Sequence, residues 1–489
     1  MNTLTVVAAM PIAFGVIAAL LRWPLALGAF GADPRPDRWH TSATPAFGGI
    51  GIVAGFAVAV LTATAIGPIG VPSEVLATVA GALIVFAFGL LDDIIHLHPL
   101  AKLAAQIAAG VVVLQSSVSV EFVSSPTLGW AIGLLWLVGL TNAFNLLDNM
   151  DGLAGSLGVV AASCFALSAA FVAPNRDIFL VAAALVFALL GFLPYNVRRS
   201  GPARVFMGDS GSQMIGFVLA TLGLMASYKE AGTTIATLAL PLLILAIPIL
   251  DTTLVTVLRV RSGRSVTQGG RDHTSHRLVY RGLSERRAVF FLVVISAALG
   301  LTSLAYAVLD SGRITAIGVL LSFALLLQFA AFLTGAAATP DETGLSHRSR
   351  LLIDTIVDGA MTGAALYAAY VVVVEGDGTA WQRHVFVWAL PIVLAARYGA
   401  LAAFGLYRRQ RRQERLGLVL RIAAAVCVSD LVAAAIVGVV VSFSDFPVKV
   451  FVLDAAFATA FLVCGRFAER AGLRALRALH RRRAMATAP

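Results

Sequence analysis

Cysteine is scarce in this chain: three among 489 residues, Cys164, Cys427 and Cys464, each inside an apolar run. That scarcity excludes a disulfide framework and a cysteine-built zinc site, and it leaves the thiols as core or lipid-facing groups. Charge is scarce as well. Asp, Glu, Lys and Arg make up 13% of the residues against 59% hydrophobic ones, where a soluble domain carries about twice that charge. The charge present is lopsided, with 36 Lys and Arg against 26 Asp and Glu. A basic surplus serves nucleic-acid binding in some proteins, but these cations fall in short connections between apolar runs. They point to membrane orientation, anionic lipid and anionic substrates, with no nucleic-acid partner. The first apolar run, 5–21, lacks a basic start and a cleavage site, so it is read as a retained helix rather than a signal peptide.

Long apolar runs are what the chain has in abundance. Segments near 4–22, 47–66, 76–95, 101–120, 128–147, 153–173, 178–195, 211–228, 232–258, 288–309 and 314–335 are long enough to span a bilayer. So are segments near 352–374, 385–404, 418–442 and 449–466. The expected fold is an all-α polytopic integral membrane protein of about eleven helices followed by about four more. Arginines and lysines concentrate in alternate connections, from Arg22, Arg35 and Arg38 to the tail beyond Arg466. The positive-inside rule makes that set cytoplasmic, with the N-terminus outside and the C-terminus inside. The linker-like stretch 336–350 divides a core (1–335) from a C-terminal block (351–489).

The stretch Asn142–Gly155 interrupts this apolar pattern with two carboxylates and three carboxamides at a span boundary. Asn142, Asn145, Asp148 and Asp151 recur every third residue, and an ideal helix would rotate such a series by roughly 60° per step. With Gly152 and Gly155 following, the pattern predicts a helix that wraps or breaks around a ligand, since polar groups at membrane depth line functional cavities.

The remaining polar clusters fall on the same predicted face. They are Arg38–Gly49 with His40, Thr44, Pro45, Gly48 and Gly49; Asp92-Asp93 followed by Lys102 and Gln106; Asn196 and then Arg204 through Ser212; and Gly269 through Arg277, after a run that contains Asp251. Gly208-Asp209-Ser-Gly suits a turn and helix N-cap, and an Asp there also suits a cation beside phosphate oxygens. His273 and His276 have no third nitrogen or sulfur ligand nearby, which speaks against zinc; with Arg271 and Arg277 they fit a grip on phosphate. Carboxylates and carboxamides without thiolates suit Mg²⁺ or Mn²⁺. Acids, an oxygen-liganded metal, arginines and a lysine at a membrane surface are what phosphoryl transfer to a lipid requires.

Taken together, His40…Thr44-Pro45…Gly48-Gly49, Asp92-Asp93, Asn142-x-x-Asn145-x-x-Asp148-x-x-Asp151-Gly152, Phe206-Met-Gly-Asp209-Ser-Gly-Ser212 and the His273/His276-Arg277 loop resemble the polyprenyl-phosphate N-acetylhexosamine-1-phosphate transferase superfamily. The resemblance covers roughly residues 1–335. It implies transfer of a sugar-1-phosphate from a UDP-HexNAc, most simply UDP-GlcNAc, to polyprenyl phosphate with release of UMP, using Mg²⁺ or Mn²⁺. It implies catalytic roles for Asp92, Asp93, Asp148, Asp151 and Asp209, with Asp209 and Asn145 as metal ligands. Lys102 would contact the diphosphate, and Asn142, Asn145, Asn196, Arg204, Arg271, His273, His276 and Arg277 would bind substrate. The site would face the cytoplasm at the inner membrane, in an enzyme that initiates cell-envelope polysaccharide synthesis. Two departures stand out: Ser275 occupies a position where the family's histidine cluster has another His, and the spacing from Asn196 to Pro202 is longer than the family pattern. The missing His argues against the phospho-MurNAc-pentapeptide branch, which is the alternative activity.

The C-terminal block resembles the membrane region of polysaccharide-synthesis nucleotide-sugar epimerases and dehydratases, through Asp354-x-x-x-Asp358, Gly405-Leu-Tyr407-Arg, Leu420-Arg421-Ile and Asp454…Gly465-Arg466. It is read as a packing or docking module, for a second copy or for envelope-assembly partners. A secondary transporter would place charges near mid-bilayer, often in repeated halves, whereas these charges collect at one edge without an internal repeat. A non-catalytic scaffold would have no need of all the acidic positions.

Overall fold

The computed structural model describes residues 2–23, 31–32, 44–66, 71–116, 118, 123, 125–198, 201–229, 240–266, 270–309, 312–334, 347–374, 379–407, 415–440 and 446–486. Arg38 and His40 of the first motif lie outside them. The described residues are almost wholly helical, apart from one two-residue antiparallel pair, Gly31–Ala32 with Thr44–Pro45. Eleven helices among the described residues are long and apolar enough to cross a membrane, and two shorter apolar ones cover Thr5–Leu20 and Pro99–Leu114. The all-α polytopic membrane fold is therefore present.

By their contacts the helices form two units, residues Met1–Val279 with Leu283–Asp310, and Tyr280–Gly282 with Ser311–Pro489. In the first, helices α1 (Ala9–Leu20), α2 (Gly48–Ala65), α3 (Ser73–Ile95), α4 (Pro99–Leu114), α5 (Pro126–Leu147), α6 (Leu153–Leu167), α7 (Arg176–Asn196), α8 (Gly208–Lys229), α9 (Ala246–Arg261), α10 (Thr274–Tyr280) and α11 (Glu285–Leu309) follow in order. α8 is the axis: it is buried on every side over 208–226, with α3 and α5 against it. A helix enclosed by protein rather than lipid can carry polar groups if each finds a partner. Asp209, Ser210, Ser212 and Gln213 lie in its first turns.

Successive helices run back and forth, so the C-terminal ends of α3, α5 and α7 meet the N-terminal ends of α4, α6 and α8. This connectivity gathers Asp92, Lys102, Asn145, Asn196 and Asp209 at one end of the bundle. α4, predicted as a span over 101–120, is a 16-residue helix, about 24 Å long at 1.5 Å per residue and shorter than the roughly 30 Å hydrocarbon core.

The second unit comprises α12 (Gly312–Thr334), α13 (His347–Val373), α14 (Ala380–Ala403), α15 (Arg415–Val440) and α16 (Lys449–Ala486). The sequence put the division at 336–350; by packing, α12 lies with the C-terminal helices, against α13 and α16. Two apolar clusters fill this unit, one around Met361, Leu401, Ile422 and Leu462, the other around Tyr370, Val393, Ala433 and Phe446.

Candidate active site

The predicted break in the polar stretch is real. α5 ends at Leu147, Asp148 closes it with ψ 52°, and the chain reverses through Gly152, whose φ of +79° opens α6. A side chain at 152 would be strained in that left-handed conformation. Asn196 secures the turn: its Oδ1 accepts the Gly152 N–H at 2.7 Å and its Nδ2 donates to the Val205 carbonyl at 3.0 Å. Asp151 accepts the Ala203 N–H at 2.9 Å. Both residues, expected to meet substrate or chemistry, thus spend these groups joining the 148–152 turn to the segment before α8. Arg204, on that segment, is exposed.

The start of α8 is held by its neighbours. Asp93, from the end of α3, accepts the N–H groups of Asp209 and Ser210 at 2.8 and 3.1 Å, supplying the acceptors that a helix N-terminus lacks. Gly48 and Gly49 donate their N–H groups to the Phe206 and Met207 carbonyls, both at 2.9 Å. At position 49 an added Cβ would stand 2.6 Å from the Gly211 nitrogen, so only glycine permits this approach.

Asp209 is thereby fixed opposite Asp92. Lys102 bridges them, with Nζ 2.8 Å from Asp92 Oδ2 and 3.3 Å from Asp209 Oδ2. The other Asp92 oxygen accepts the Leu97 N–H at 2.7 Å, which folds the α3–α4 turn, where His96 takes a φ of +53°. The two members of the acidic pair therefore differ: Asp92 faces the cation and Asp93 holds the helix that carries Asp209. Asn145 Nδ2 donates to Ser212 Oγ at 3.0 Å, one turn along α8 from Asp209. Asn142 exchanges amide hydrogen bonds with Gln106, which also donates to Gln213 at 3.0 Å. An amide ladder thus ties α5, α4 and α8 together behind the carboxylates.

The connection from α9 to α10 is a buried polar block rather than a surface loop; Asp272, His273, Thr274, Ser275, His276 and Arg277 are all buried. Arg259 grips Asp272 with both ends of its fork, at 2.9 and 2.7 Å, and Arg277 Nε donates to the Asp272 carbonyl at 2.7 Å. Burial opposes ionisation of Asp272, but the Arg259 hydrogen bonds and charge outweigh it and hold the carboxyl below the usual carboxylate range. Asp251 lies 2.7 Å from His273 Nδ1 and accepts the Thr274 N–H at 2.6 Å. Burial works against a charge on His273, yet the Asp251 carboxylate outweighs it and raises the imidazole's pKa. His276 differs: burial, and then the charge of His273, push it down to about 3. Ser275, standing where the family has a histidine, donates to Asn149 Oδ1 at 2.7 Å and so joins this block to the end of α5.

Sequence reading did not single out Asp251, Arg259 and Asn149 as site residues. An acid within an apolar run was the available signal for Asp251. Asn149 falls off the every-third-residue series, and nothing local distinguishes Arg259 from its neighbour Arg261.

Residues 75–227 match the family model described as glycosyl transferase family 4. The "Probable undecaprenyl-phosphate N-acetylglucosaminyl 1-phosphate transferase" of Bacillus subtilis is 32% identical over 273 residues, covering 54% of this chain and 73% of that protein. The decaprenyl-phosphate N-acetylglucosaminephosphotransferase of Mycolicibacterium smegmatis is 33% identical over 298 residues, covering 53% of this chain and 71% of that protein. A phospho-N-acetylmuramoyl-pentapeptide-transferase of Staphylococcus aureus is 42% identical, but over 96 residues, 20% of this chain and 29% of that protein.

Proposed function

The chain belongs to glycosyl transferase family 4, and on that premise we propose that it transfers GlcNAc-1-phosphate from UDP-GlcNAc to polyprenyl phosphate. An acceptor phosphate oxygen forms the new bond to the sugar-bearing phosphorus, the bond from that phosphorus to the bridging oxygen breaks, and UMP leaves with that oxygen. The charge asymmetry of the connections supports a site on the cytoplasmic side of the inner membrane, where the product initiates cell-envelope polysaccharide synthesis.

One observation carries the reading: Asp92, Lys102 and Asp209, from three helices, share one ion-paired cluster. Lys102 keeps 24% of its side chain exposed, so it sets a positive charge where a diphosphate can meet it. The carboxylates hold that lysine in place. Arg271 and Arg277, with His273, supply cationic donors for the donor's phosphates.

Oxygen donors without thiolates suit Mg²⁺ or Mn²⁺. Among the described residues no three His, Cys, Asp or Glu converge as a metal cage, and Mg²⁺ at phosphates commonly rests on one or two carboxylates plus substrate oxygens. Asp209 with Asn145 fits that description. When bound, the ion neutralises charge developing on the diphosphate.

The test is direct. Membranes containing the protein, UDP-[³H]GlcNAc, polyprenyl phosphate and Mg²⁺ should yield labelled lipid and UMP, while UDP-MurNAc-pentapeptide, the donor of the alternative branch, should not be used. Absence of both products with every UDP-HexNAc tried would defeat the proposal.

A further inference from the structure

Asp251 is fully buried, and both of its oxygens are engaged, one with His273 Nδ1 and one with the Thr274 N–H. His273 Nε2 makes no hydrogen bond to any described residue. The charged and titratable groups facing this ring are Asp251 and Arg259 from α9, Asp272 and Arg271 from the connection, and His276 from α10. Arg259 already engages Asp272 through both of its oxygens. Asp251 is therefore the counter-charge left for His273.

We propose that Asp251 is a positioning residue for the transfer reaction: it takes the Nδ1–H of His273, fixes the ring, and leaves Nε2–H as the donor to a phosphate oxygen of the nucleotide sugar. This rests on the function proposed above and adds a division of labour between the two histidines. A carboxylate behind an imidazole fixes its tautomer and orientation and stabilises its charged form, as second-layer carboxylates do in other sites. His273 then carries the charge, and His276, pushed down to about 3 by burial and by His273, stays neutral. Opposed environments of this kind separate the roles of neighbouring titratable groups.

The experiment follows UMP release by the purified full-length protein across pH, with thermal melting as a check on folding. Asp251→Asn should lower kcat/KM by about 10- to 100-fold and move the alkaline limb to lower pH, because the imidazolium loses its counter-ion. Asp251→Glu should restore most of the loss. His273→Gln should abolish that limb, and adding Asp251→Asn to it should cost nothing further. A purely structural aspartate would leave the limb where it is and cost as much in the His273→Gln background as in the wild type; either result overturns the proposal. Should Asp251→Asn not fold, the His273→Gln profile decides, since retention of the alkaline limb there also overturns it. A wild-type protein that forms no lipid product defeats the proposed function itself, an outcome distinct from these.

Discussion

Lys102 and Arg397 each stand between two aspartates, one in each unit. Lys102 reaches Asp92 and Asp209 at 2.8 and 3.3 Å with a quarter of its side chain exposed. Arg397 reaches Asp430 and Asp454 at 2.6 and 2.7 Å with 1% exposed. An ammonium at a rim can exchange a carboxylate for a phosphate. A sealed guanidinium between α14, α15 and α16 has nothing to exchange with. Arg397 moreover makes both contacts through one nitrogen; its Nε and Nη1, and one oxygen on each aspartate, form no hydrogen bond. Such a triad costs desolvation that its attraction repays incompletely, and its value lies in which helices it brings together. Arg466 and Asp358 make a second such pair at 2.7 Å. A basic side chain between two aspartates is thus partly exposed in one unit and an internal staple in the other.

That contrast can be broken from either side. The largest effect is expected for Asp209→Asn, which should lower turnover by about 10³-fold or more in membranes that still contain the inserted protein; full activity would remove Asp209 from the site. Arg397→Met leaves two buried carboxylates without their cation and should cost about 3–5 kcal/mol of stability, read by thermal melting. Replacing Arg397, Asp430 and Asp454 together with apolar residues should recover most of that loss, and folded protein of either variant should retain transferase activity. Asp93→Asn replaces one of the two oxygens that accept the Asp209 and Ser210 N–H groups with a donor and should cost about 1–2 kcal/mol, with a smaller fall in turnover than Asp209→Asn.

The smallest effect concerns pH. His276 is held neutral down to about 3 instead of its usual 6.5, so as pH falls below 6.5 the unfolded chain takes up this proton first. Stability therefore declines across the window from 6.5 to about 3. His273, with its raised pKa, contributes stability that is complete below the ordinary histidine value and is lost as pH rises through its folded one. Melting of His276→Gln should show a shallower acid decline, and melting of His273→Gln a shallower alkaline one.

The sequence made much of the site legible. The polar series with Gly152 announced a helix break, and α5 does end at Leu147 with a reversal through that glycine. Gly48-Gly49, part of the first motif, lies against the start of α8. Other roles were not legible. Asp92 and Asp93 are adjacent and chemically identical, yet one meets Lys102 and the other the backbone at 209–210. The hydrogen bond by which Asn196 holds the Gly152 N–H was not legible either. Nor was it legible that helix α8 is the enclosed axis of its unit.

By itself the sequence determined that this is a polytopic helical membrane protein, where its helices break, and which chemical groups gather between them. Those properties depend on hydropathy and backbone preference over a few neighbouring residues. Only the tertiary structure decided what each carboxylate does, because its partner is fixed by helix packing: Lys102 meets Asp209 across 107 residues of chain, and Asp93 caps its helix across 116.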